Sequence, residues 1–127
     1  MSTWGSGNFE NDGALDVLGA NLAAHVEAIR KAFDYDSQVT VYDNQGDAEI
    51  IARVNILAAL SEHYKTAPDI EPDEISRWKQ KYLETFDRLA VSPTPVELYA
   101  DYINSRREVI NSTFDRLYNE VVSFLES

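Results

Sequence analysis

Leu15, Leu18, Leu22, Val26, Ile29 and Phe33 recur every three or four positions, and later stretches of the chain repeat that spacing. A period near 3.6 residues sets such side chains on one face of a helix, and a face of that kind has to be buried against another. A chain carrying four of these stripes is therefore constrained towards an all-α bundle of about four helices. With 127 residues, one core fits and a second does not, because a domain of ~150 residues buries only about 68–70% of its unfolded surface. The reading is one helical domain spanning 1–127.

The first stripe predicts a helix over about 12–33, with Asn11 or Asp12 accepting hydrogen bonds from the free amides at its start. Gly19 lies inside it at a cost of about 1 kcal/mol against alanine, which suggests a close helix crossing at that point. From Asp34 to Asp47 the period stops and turn-forming residues take over. Weak alternation from Gln38 to Tyr42 leaves room for a minor β element near 38–42. Five acids between Asp34 and Glu49 invite a calcium loop, but counting back from Gly46 as its sixth position puts Val41 where the first ligating Asp belongs, so a solvated loop is the better reading.

Ile50, Ile51, Val54, Ile56, Leu57 and Leu60, interleaved with alanines, predict a second helix over about 47–64 that is apolar nearly all round and sits at the centre of the bundle. Ala67-Pro68 should end it. Pro72 fits the first position of a third helix running to about 90, with Ile75, Trp78, Tyr82, Phe86 and Leu89 inward. Thr94 and Glu97 form a capping box ahead of the last segment. There Tyr99, Ile103, Arg106, Ile110, Thr113, Leu117, Val121 and Phe124 continue one stripe, as one helix of about 30 residues or as two, and the low helix propensity of Asn104-Ser105 favours a bend or break there.

Composition limits the chemistry. Cysteine is absent, which removes disulfides, a thiolate nucleophile and sulfur-ligated metal sites. His25 and His63 lie in different predicted helices without metal-site spacing, so structural roles are expected and no metal or cofactor is implied. Gly5-Ser6-Gly7 lacks the further glycine, lysine and preceding strand of a phosphate loop. No nucleophile elbow is present, and acids such as Asp16 and Glu27 read as solvated helix faces. No catalytic residue can be assigned, and the sequence leans away from an enzyme.

The formal charge is −11, with 22 acidic against 11 basic residues, so the averaged field repels a phosphate backbone and disfavours nucleic acid. A basic protein partner is the interaction that such a surface favours, and a homo-oligomer is also compatible with the sequence. No apolar run reaches the ~20 residues that span a bilayer, and the first residues lack the basic start and apolar stretch of a signal peptide, so no membrane association and a cytoplasmic location are expected. Asn111-Ser112-Thr113 has the form of a glycosylation sequon, which carries no weight in that compartment.

The segment from Thr3 to Asp12 holds two large aromatics where termini usually fray, which predicts an arm that folds back and buries Trp4 and Phe9 while glycines permit the reversal. Thr3, Trp4, Gly5, Gly7, Phe9, Asn11 and Asp12 together resemble a family of bacterial proteins of unknown function. Its members open Met-Gly-Thr-Trp-Gly-x-Gly-x-Phe-x-Asn-Asp, are similar in size to this chain and have a second helix similar to the alanine-rich one here. Ser2 replaces the family's glycine, and Gly13 stands where an acid or alanine is more common. The resemblance implies a fold and no activity.

Two functions from different classes stay open. One is a non-enzymatic binding protein, an adaptor or antidote, offering its acidic face to a basic partner. The other is an enzyme or small-ligand binder with a cleft beside Trp4, where Gly5, Gly7, Asn11 and Asp12 hold a polar group. On either view Trp4, Gly5, Gly7, Phe9, Asn11 and Asp12 form the candidate motif, with a mainly structural role.

Overall fold

The computed structural model describes residues 7–8, 12–34, 44–89 and 97–127. They form four helices: α1 (Asp12–Asp34), α2 (Asn44–Tyr64), α3 (Pro72–Leu89) and α4 (Glu97–Glu126). The all-α bundle expected from the four stripes is the fold. The region 38–42, suggested as a minor β element, lies outside the described residues, as do Thr94 and Pro95.

Each helix is oriented by the face it buries. Along α1, Leu18, Leu22, Val26, Ile29 and Phe33 are buried at spacings of three and four, while Leu15, expected in the same stripe, stays 39% exposed. On α3, Ile75, Trp78, Tyr82 and Phe86 point inward as expected, joined by Leu83. The second helix buries Ile50, Ile51, Val54, Leu57 and Ala58, but Ile56 and Ala52 face solvent. It is thus a wall with one broad apolar face and not an enclosed central rod.

The helices are arranged as two antiparallel pairs. Arg53 of α2 meets His25 of α1, and Lys79 and Asp87 of α3 meet Asp115 and Arg107 of α4. Between the pairs, neighbours run in the same direction. Arg30 of α1 reaches Glu74 near the start of α3 while Phe33, one turn later, stacks on Trp78 at 6.1 Å. Glu62 of α2 likewise meets Arg116 of α4, and the last turns of these two helices lie side by side. The core fills the space between the pairs, with Tyr82, Phe86, Phe114, Ile29, Ile50 and Leu57 fully buried.

Such an arrangement requires the link from α2 to α3 to cross the end of the bundle diagonally. Residues 65–71 do this. Lys65 adopts a left-handed backbone with φ of 54°, and the Thr66 amide donates to the Ser61 carbonyl at 3.0 Å. That pairing satisfies a carbonyl left free by the end of the helix, so the helix stops at Tyr64 by a left-handed cap and not by the proline four residues beyond it. Pro68 and Ile70 are instead buried as anchors of the crossover. Pro72 then opens α3, as its missing amide proton predicts.

Two local expectations are corrected. Helix α4 runs unbroken from Glu97 to Glu126 through Asn104-Ser105. Arg107 holds Asp87 of α3 with two bonds of 3.0 and 3.2 Å just past this weak point, and Ile110 is fully buried one turn on, so tertiary contacts override propensity. Gly19 is no crossing point: it is exposed, and a Cβ placed there meets nothing within 4 Å.

Candidate functional site

The six motif residues fall largely outside the described region. Gly7 is exposed at a bend followed by a turn at Asn8, and Asp12 is the first residue of α1. Trp4, Gly5, Phe9 and Asn11 lie outside the described residues.

The two histidines have separate surroundings. His25 is half-buried on α1, and its Nδ1 lies 3.0 Å from Nη1 of Arg53. Burial first, and the Arg53 charge second, hold its pKa below the ordinary 6.5. His63 is exposed in the last turn of α2, edge-on to Tyr64 at 4.6 Å. No group of three or more His, Asp or Glu side chains able to hold a metal ion occurs among the described residues.

The charged side chains form a pattern the sequence alone could not show. Arg30 donates to both carboxylate oxygens of Glu74 at 2.7 and 2.8 Å. These hydrogen bonds raise the arginine pKa and depress that of Glu74 below its ordinary value. Arg53 pairs with Glu49, Lys79 with Asp115, Arg107 with Asp87, and Arg116 with Glu62. Lys81 donates to the Phe33 carbonyl and lies 5.9 Å from the centre of that ring. Each ion pair removes one charge of either sign, so the excess of acids is untouched and falls on the remaining surface. Asp16, Asp69, Glu71, Asp73, Asp101 and Glu108 are all exposed.

Among the described residues, three grooves stand out on that surface. One of about 330 Å³ lies between α3 and α4, floored by Ile75, Leu83 and Phe114 with the Lys79–Asp115 pair on its rim. A second, about 360 Å³ and more polar, lies between the last turns of α2 and α4 near Lys65, Glu120 and Ser123. A third, about 300 Å³, separates the first half of α1 from the crossover. Their described linings hold carboxylates, hydroxyls and lysines but no paired base and nucleophile of the kind that acyl or phosphoryl transfer needs.

Residues 2–125 match the family described as a domain of unknown function, DUF4259. The chain belongs to this family. The match takes in α1, α2, α3 and all but the last residue of α4. No curated protein matches the chain, and no solved structure does. No described helix is long and apolar enough to cross a membrane.

Proposed function

We propose that this chain is a non-enzymatic protein-binding domain, an adaptor or antidote, that presents an acidic surface to a basic protein partner in the cytoplasm. The observation that carries the reading is the disposition of charge. A formal charge of −11 survives the internal pairing of Arg30, Arg53, Lys79, Arg107 and Arg116, and the exposed acids extend over α1, the crossover, α3 and α4. A field of one sign steers an oppositely charged partner and repels nucleic acid. The N-terminal Trp-Gly motif, which resembles that of bacterial proteins, serves stability in this reading: Trp4 and Phe9 supply apolar area, and Asn11 or Asp12 caps α1.

Salt is the test. Exposed charges are screened beyond ~8 Å at physiological ionic strength and beyond ~3 Å at 1 M. Association with a captured basic partner should slow between low and moderate salt, while dissociation changes little. Capture that persists unchanged at about 1 M salt, or failure of any basic protein to bind at low salt, would sink the proposal.

A further inference from the structure

The apolar stripe of α1 outruns the bundle that covers it. Leu18, Leu22, Val26 and Ile29 are buried to 7% exposure or less, yet Leu15, in the same register, is 39% exposed. The crossover accounts for the difference. It passes alongside this end of α1 and leaves the groove of about 300 Å³, lined chiefly by Leu15, Leu18, Gly19, Leu22, Pro68 and Asp69. Gly19 opens one wall, since there is free space where its Cβ would stand.

Asp69 lines the groove from the crossover, and on α1 the nearest acid in helical register is Asp16, one turn before the lining residue Gly19. Asp16 is exposed on α1 and Asp69 on the crossover, with Glu71 and Asp73 following towards α3. Among nearby cations, Arg30 feels Glu27 and Asp69, but its guanidinium is held bidentate by Glu74. Lys65 at the head of the crossover lines the other groove, with Glu62 and Glu120. A hydrophobic trough with Asp69 in its lining and Asp16 exposed one turn from Gly19 complements an apolar stripe flanked by cations. Among the described lining residues Asp69 is the one ionisable group, which gives a small polar ligand little to hold.

We propose that this groove is the docking site for a basic amphipathic helix of a protein partner, whose apolar side chains enter beside Gly19 while flanking Lys or Arg residues meet Asp16 and Asp69. The proposal rests on the acidic-surface reading above and assigns it a place. Gly19 is the specificity element: there is free space where a Cβ would stand, so a side chain placed there extends into the trough from the α1 side.

The probe is a fluorescent synthetic helix of alternating leucine and lysine patches, titrated into the full chain and followed by anisotropy. Gly19→Leu should keep the fold and weaken binding about tenfold or more, a change of roughly 1.4 kcal/mol per decade. Leu15→Lys, a second variant at an exposed position, should weaken it similarly by repulsion. Asp16→Asn with Asp69→Asn should weaken binding at low salt and flatten its salt dependence, while Asp101→Asn with Glu108→Gln should change little. Salt-dependent binding that neither Gly19→Leu nor Leu15→Lys alters would overturn this site and leave the acidic-surface reading standing. Absence of peptide binding at low salt would overturn this docking site, whereas the acidic-surface reading falls only if basic proteins also fail to bind at low salt. Gly19→Leu destabilising the domain non-additively with Trp4→Ala would show that the groove holds the chain's own N-terminal segment, and that result too would overturn the proposal.

Discussion

Arg53 donates from Nη1 to Nδ1 of His25 at 3.0 Å, across the contact between α1 and α2. A guanidinium has only donors, so His25 must be neutral, with Nδ1 as the acceptor and its proton on Nε2. The arrangement makes this part of the bundle acid-sensitive. Burial and Arg53 hold the folded-state pKa below 6.5, so as pH falls through 6.5 the unfolded chain takes up a proton that the folded one refuses, and stability drops until the lower folded pKa is reached. Between about pH 7.5 and 5.5 the parent's melting temperature should fall, whereas His25→Asn, which keeps an acceptor without titrating, should stay flat. Parallel curves for the two proteins would assign the acid loss elsewhere. Glu74, with its pKa depressed by Arg30, loses its contribution in a separate window as pH falls through and below its ordinary 4.5.

The left-handed Lys65 offers a backbone test. An L-residue in that region carries a cost of roughly 1–2 kcal/mol, which glycine avoids and a β-branched residue aggravates. Stability measured by urea unfolding should rank Lys65→Gly above the parent and Lys65→Val below it. The glycine gain should be about 0.5–1 kcal/mol, reduced in part by the loss of a cation near the end of α2. Equal midpoints for the two variants would mean that φ at 65 is not positive in solution.

Phe114 is fully buried against Tyr82, with ring centres 5.7 Å apart. Phe114→Ala should cost about 3–5 kcal/mol through lost transfer energy and the cavity left behind. Val109, on the same helix but 50% exposed, should tolerate alanine within about 0.5 kcal/mol. Similar losses at both sites would indicate that α4 is rotated about its axis relative to this packing.

For the N-terminal motif, Trp4→Ala should lower stability by about 2–3 kcal/mol, the value of burying a large apolar side chain. A variant that melts like the parent but loses partner binding would move the motif from a structural to a functional role.

The helix count, the approximate helix bounds and most inward-facing residues of α1 and α3 could be read from periodicity, because burial on one side of a helix leaves a 3.6-residue trace. What escaped had causes that periodicity does not encode. Phe114 lies one position beyond Thr113 of the expected stripe, and the wider buried face of α4, which touches both α2 and α3, takes it in. Phe124, expected inside, is 46% exposed on the edge of the groove between the last turns of α2 and α4. Asn104-Ser105 reads as a break until the Arg107–Asp87 pair is known, and such a pair spans residues far apart in sequence. Charge showed the same limit: the total of −11 was plain, but the pairing that sets where it is felt depends on which helices are neighbours. Asp69 becomes part of the α1 groove only once the crossover brings it beside α1.

The diagonal crossover also bears on the order in which the chain assembles. Each antiparallel pair closes over a modest stretch of sequence, as Arg107 with Asp87 does at a separation of 20 residues. The contacts that join the pairs are more distant, 44 residues for Arg30–Glu74 and 54 for Arg116–Glu62. Closing longer loops costs more chain entropy before any contact repays it. The two pairs should therefore form as separate units whose apolar faces stay open until they dock. Docking, set by the short span from Lys65 to Glu71, is then the slow event in folding and the stage at which the chain is most exposed to aggregation.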